Sequence, residues 1–530
     1  MNISQPTIKF LNRYGQSFVP REIDPEAPRI KVQMTISRIA SVYEKIRNTI
    51  EFKDEHLLRK NAIQRMLKRR IYTEEKKGNL GRLLISELVR SKYLPNNEIP
   101  ESVIDEIDII IAKYVGLLKE IAPNRLNKQR RNNADWILSV LATQIEHHLV
   151  PPIKDDALVE YMYQVIRNDV DLAEDIADPV ERDLQVYIAI HRALIKSDYG
   201  ILRYHLLDFW LPGWMEGDPD TIEVMHRRFK EIKDKVEEQI KHPFANRIFK
   251  FVKKFSGLFV IMKDLVEKNY YNFGDYLENP QALEQEIRAI CRSRYAKARK
   301  KLRRSYIRTI IYIFITKMML ALIIELPYDL YILQNPDYMP LVVNVVFHPL
   351  LMFIIAVSIF TPKEKNTDVI VKLLMKIFYQ EPHPEFLYAK KKSFGRSKLS
   401  STIFAFIYAL TFILSFGLLI WTLGQFGFNW VSTSLFLFFL TIISFFGMKL
   451  RNEAKELEIV PKKDNIVTAI INFFTLPILR VGQWISAKAP KINIFLFILD
   501  FIIEAPFKIF IEVVEDWISY QKEKREELFE

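Results

Sequence analysis

Apolar positions change their spacing near residue 305, and the change divides the chain into two kinds of helix. From Lys31 to Ile287, apolar residues recur at intervals of three and four with charges between them, the pattern of helices that bury one face. Ile104, Ile107, Ile111, Val115 and Leu118 form one such stripe; Met225, Phe229, Ile232, Val236 and Ile240 form another. Breaks are expected at Leu94-Pro95-Asn96-Asn97, Val150-Pro151-Pro152, Asp178-Pro179, Leu211-Pro212-Gly213 and Asp218-Pro219, where proline and short polar residues stop one helix or start the next. The pattern predicts a soluble all-α domain over residues 31–287, or two helical subdomains meeting near Pro212. Residues 1–30 are polar and interrupted by Pro6, Pro20, Pro25 and Pro28, and read as a flexible lead-in.

Beyond Ser305 the apolar residues run together. A helix needs about 20 largely apolar residues to cross a hydrocarbon core of about 30 Å. Four stretches meet that length: 307–326, 341–360, 402–423 and 430–448. The predicted fold class is therefore all-α: a polytopic helical membrane protein with a large N-terminal helical domain, a basic juxtamembrane collar at 288–305 and a four-helix transmembrane domain at 306–448.

After residue 465 the signal weakens. Ile466 to Leu479 is short and contains Pro477, and the following helix carries Asp500, Glu504, Lys508 and Glu512 at intervals of four. That spacing makes a charged stripe opposite a face of Phe, Ile and Leu, so residues 465–530 read as amphipathic, interfacial or re-entrant helices.

Charge sets the expected orientation. The formal net charge is +12, yet residues 1–287 carry 44 basic and 44 acidic side chains. Most of the remaining excess lies in Arg288, Arg292, Arg294, Lys297, Arg299, Lys300, Lys301, Arg303, Arg304 and Arg308, with no acid among them. The loop at 361–400 carries nine basic residues and that at 449–464 five, whereas 327–340 and 424–429 carry none. Lys and Arg are retained on the cytoplasmic side, so the N-terminal domain, both basic loops and the C-terminus are expected in the cytoplasm, at the cell membrane. The collar can also attract anionic headgroups by about 1 kcal/mol per residue, or serve as a topology signal alone.

Candidate chemistry is sparse. The single cysteine, Cys291, cannot form an intrachain disulfide or a cysteine-ligated zinc site, and the N-terminus lacks the apolar core of a signal peptide. Nucleophile elbows, Walker loops and dinucleotide fingerprints are missing, so neither an enzyme nor a cofactor is indicated. His191, Asp198 and His205 would share a helix face if that helix is unbroken, and Glu146-His147-His148 adds ligand types, but the zinc-protease spacing is absent and no metal is expected. Arg59, Lys60, Arg65, Lys68, Arg69 and Arg70 could touch phosphates, although only Tyr72 is available nearby for stacking, which makes nucleic acid an unlikely partner.

Within the first two apolar spans lie Lys317, Glu325, Asp329, Asn344 and His348, the last followed by Pro349. Charge inside a membrane segment marks a functional candidate. The bland alternative is a snorkelling lysine or one structural ion pair, headgroup-level acids and a packed histidine. The leading functional expectation is a non-enzymatic membrane-anchored scaffold or binding module with a protein partner for its helical domain. The alternatives are an ion or proton channel or transporter using those five residues, and a membrane tether for nucleic acid.

Overall fold

A computed structural model describes residues 3–19, 26–32, 44, 55–72, 79–123, 127–167, 178–334, 338–359, 362, 364–379, 398–455, 457–459, 466–488, 517, 520 and 521. The fold is all-α: among the described residues the only β feature is an isolated bridge between Arg29 and Pro100. The chain divides into two compact units, one formed by the described residues up to Ser256 together with 517, 520 and 521, and one by those from Gly257 to Lys488.

The first unit begins with α1 (Gln5–Gly15), α2 (Glu55–Tyr72), α3 (Leu80–Arg90), α4 (Ser102–Ile121) and α5 (Lys128–Leu149). It continues with α6 (Ile153–Ile166), α7 (Pro179–Ile190), α8 (Tyr199–Trp210) and α9 (Pro219–Ile240). Two of the five expected breaks are capped starts. Asp178 and Asp218 each accept a backbone N–H of the helix they precede, with proline at the first position, where its missing N–H costs nothing. Both sequence stripes face the core, with Val115 at its edge and Trp214 fully buried among them. The lead-in expected to be flexible contains α1, which packs on α6: Phe10 stacks on Tyr161 at 4.8 Å, and the Thr7 hydroxyl lies 2.6 Å from that tyrosine's. Its apolar residues, Phe10 and Tyr14, are four apart, one helical turn, which is enough to bury one face of a short helix.

The second unit contains α11 (Phe273–Glu278), α12 (Pro280–Leu320), α13 (Tyr338–Val357), α14 (Glu364–Tyr379), α15 (Lys398–Gln425), α16 (Trp430–Ala454) and α17 (Ile466–Lys488), while α10 (Ala245–Asn269) straddles the division. The loop read at 361–400 thus contains a helix, α14, and α17 runs through Pro477 rather than stopping there. Helix α12 is about 60 Å long at 1.5 Å per residue and joins the basic collar to the first apolar stretch without a break. Among the described residues, four helices are long and apolar enough to cross a membrane: α12 with its extension to Leu333, α13, α15 and α16. Their outward surface is apolar, with Ile311, Phe314, Leu322, Ile323, Phe353 and Phe406 exposed, and only 11% of the most apolar window in α15 is buried. The usual water-soluble arrangement is inverted here. Gly482 lets α17 approach α16 closely; a Cβ there would lie 2.1 Å from the Thr441 carbonyl oxygen.

Candidate functional site

Lys317, Glu325, Asp329, Asn344 and His348 all turn inward among the apolar helices, each at most 5% exposed. Their placement follows from helical spacing. Ile313, Lys317, Ala321 and Glu325 are four apart along α12 and its extension, and all four are buried, as are Asn344, His348 and Met352 along α13. Past Leu320 the helix opens into two π-helical turns, Ala321–Glu325 and Asp329–Leu333, separated by Leu326–Tyr328. Such turns are frequent at functional positions, because the extra residue re-aims the side chains beyond it.

Asn344 is the hub. Its Oδ1 accepts from the Lys317 ammonium at 2.6 Å, and its Nδ2 donates to Glu325 Oε1 at 2.6 Å. The amide therefore bridges the two charges. Lys317 also stands 4.3 Å from the ring centroid of Phe439, a cation–π contact that compensates part of its desolvation. The other Glu325 oxygen, Oε2, is buried and has no hydrogen-bond partner among the described residues. His348 joins the same hub: Nδ1 lies 3.0 Å from the Asn344 carbonyl oxygen, and Nε2 lies 3.1 Å from the Phe436 carbonyl oxygen. A neutral imidazole has one N–H, so it can donate to only one of these carbonyls; the imidazolium can donate to both.

Helix α16 extends the set toward Asp329. The Asn429 amide donates to Asp329 at 2.8 Å and accepts the Ser432 N–H at 2.9 Å, and the Ser432 carbonyl oxygen lies 3.4 Å from Asn344 Nδ2. A continuous series of polar groups thus runs from His348 to Asp329. Sequence reading missed Asn429, Ser432, Phe436 and Phe439 because it weighed formal charge, of which the stretch 430–448 has none. The signal present was spacing: Ser432, Phe436 and Phe439 recur at four and three on one face, behind an asparagine that caps the helix.

The other predicted residues are distributed differently. Asp500, Glu504, Lys508 and Glu512 lie outside the described residues. In the collar, Arg288 pairs with Glu284 and with Asp368, and Arg294 with Asp264, so two of its charges are countered by acids distant in sequence. Arg292, Lys297, Arg299, Lys300, Lys301, Arg303, Arg304 and Arg308 are exposed.

The basic run of α2 is bound within the first unit. Arg59 meets Glu146 at 2.8 Å, Arg65 meets Glu44 at 2.9 Å and Lys68 meets Asp135 at 2.9 Å. Lys60 bonds Asp198, while Arg69 and Arg70 converge on Glu87. All six cations have carboxylate partners there.

His191, Asp198 and His205 do not share a helix face. After α7 the chain passes through a π-helical turn, His191–Ile195, and reverses at Lys196, whose φ is +59°. Asp198 then caps α8 by accepting the N–H groups of Gly200 and Ile201, the role a short carboxylate fills better than a mid-helix position. The reversal brings the His205 ring to 4.4 Å from His191, and His147 of α5 joins them. Among the described residues, no group of three or more His, Cys, Asp or Glu is arranged to hold a metal.

The chain shows no similarity to any protein-family model, curated protein or solved structure with which it was compared.

Proposed function

We propose that the chain is a multi-pass integral membrane protein whose apolar helices carry a proton-transfer site. It would lie with its N-terminal unit, collar and basic loops on the cytoplasmic side, the side that retains positive charge. The observation that carries this reading is His348, inward-facing among apolar helices, with carbonyl oxygens at both ring nitrogens. Its charged form satisfies both acceptors and its neutral form satisfies one, which gives the site two states that differ by a proton. Asn344 links that histidine to Lys317 and Glu325, and the orphaned Glu325 oxygen is a second seat for a proton. A metal cation is a poorer occupant, because the Lys317 ammonium already sits on the same amide as Glu325 and would repel it.

The test is proton movement in vesicles reconstituted with the full chain, driven by a potassium diffusion potential and read by an entrapped pH dye. Flux above protein-free vesicles is expected, falling on the order of 100-fold in Glu325→Gln and His348→Phe, the scale at which one positioned proton carrier matters. Flux that survives both substitutions, or no flux in the unaltered protein, contradicts the proposal.

A second reading concerns the first unit, as a binding module, with the exposed collar cations of α12 meeting anionic headgroups. It is favoured by an open depression of about 640 Å³ between α4, α5 and α9, where Lys128, Arg227, Lys230 and Lys233 outnumber the carboxylates of Glu120 and Asp234, a size within the range of small-molecule sites. A ligand screen by thermal shift should return anionic compounds whose effect is lost in Lys233→Gln; hits indifferent to that change would remove this depression from consideration.

A further inference from the structure

We propose that His147, His191 and His205 form a proton-operated switch in the N-terminal helical unit, one that loosens the packing of α5, the end of α7, and α8 when the medium becomes mildly acidic. The geometry is a stack of rings from three separate helical elements. His191 lies 4.4 Å from His205 and 4.5 Å from Tyr187, and His205 lies 5.7 Å from His147, centroid to centroid. Tyr204 closes the group at 4.9 Å from His147 and 5.4 Å from His205. Three imidazolium rings at these separations would repel one another strongly, so the packed arrangement requires most of them to be neutral.

Access and lack of compensation make the cluster a switch rather than a passive core. His191 is buried; its Nδ1 lies 3.3 Å from the Ser197 hydroxyl, and its Nε2 has no hydrogen-bond partner among the described residues. His147 and His205 are only partly buried, so protons can reach the cluster from its edge.

The charged and titratable groups facing it come from five helices. From α5, Glu146 approaches His147 at 3.7 Å but is held by Arg59 at 2.8 Å. From α2, His56, Arg59 and Lys60 add positive potential or a further base. From α6 come Asp156, Glu160 and Tyr163, and from α1 Arg13, acting on Tyr187 or in ring contact with it. From α8, Asp208 lies near Tyr204, with Glu216 beyond it.

The sign follows from which state holds more protons. Burial lowers His147 to about 3 and His205 to about 4, with neighbouring histidines adding to the effect on His147, and pushes His191 well below its ordinary value. The opened state, with ordinary values near 6.5, therefore takes up protons first, and packing weakens as pH falls below about 6.5. Asp156, Glu146 and Asp208 oppose this: burial raises all three, Asp156 to about 6, so their packed forms gain protons over part of the same range. Three deeply lowered histidines against these acids leave a net increase in opening on the order of 10-fold between about pH 7.5 and pH 5.5.

Hydrogen exchange of the full chain in detergent or nanodiscs, corrected for intrinsic rates, tests this. Peptides covering the ends of α5 and α7 and the start of α8 are expected to open far more at the lower pH, while the α4 core does not. The same measurement on His191→Phe/His205→Phe, whose rings can still stack, should flatten the response, and His148→Gln, altering a histidine that pairs with Glu106 instead, should leave it intact. Equal protection at both pH values in the unaltered protein overturns the proposal whether or not the double variant folds. A response that persists in a folded double variant overturns it equally.

Discussion

Replacing Lys317 with methionine is expected to destabilise the second unit by about 3–5 kcal/mol, the cost of removing one partner from a buried charge network. Methionine matches the length of the lysine stem but removes the ammonium, and with it the cation–π contact to Phe439, so the loss is mainly electrostatic. What remains is a buried Glu325 carboxylate whose hydrogen-bonding Asn344 has lost its cation. Lys317→Met/Glu325→Gln should cost much less than the sum of the two single changes, because no uncompensated charge is then left inside. The comparison is made by thermal denaturation of the four proteins in one detergent. Additive losses would mean that the two residues are independent, and the network described around Asn344 would have to be abandoned.

Glu87→Ala should be comparably damaging to the first unit. Its carboxylate receives Arg69 at 3.0 and 2.8 Å and Arg70 at 2.9 Å, and is 5% exposed. Truncation removes the carboxylate on which two guanidinium groups converge, one of them on the buried Arg70 side chain, at a cost of about 3–5 kcal/mol. Glu231→Ala, which removes an exposed partner of Arg228 and Lys235, is the control and should leave the melting temperature unchanged. If Glu87→Ala melted like the unaltered protein, the basic run of α2 would not be held internally, and a role for it in binding phosphates would return.

The sequence disclosed the helices and their faces better than it disclosed partners. The stripe from Met225 to Ile240 is buried as its spacing demands, since a helix can hide only residues that share a side. Charge and polarity inside apolar spans marked Lys317, Glu325, Asn344 and His348 as candidates, but not their meeting at Asn344, which depends on how α12 and α13 pack. Local composition misled where an acid distant in sequence supplies the balance. Arg59 to Arg70 looks like a free basic patch until Glu44, Glu87, Asp135, Glu146 and Asp198 are folded against it. The histidines show a different limit. Asp198 ends the helical register that seemed to join His191 to His205, and the reversal it caps unites them by another route.

Spin labels scanned along residues 307–326, in the Cys291→Ser background and in lipid bilayers, measure most directly whether the polar site faces the protein interior. Oxygen accessibility should oscillate with the helical period, high at Ile311, Phe314, Leu322 and Ile323 and lowest at Ile313, Lys317, Ala321 and Glu325. Accessibility that peaks at Lys317 and Glu325, or a scan with no helical period, would place these charges against lipid or water and contradict the proton-site account.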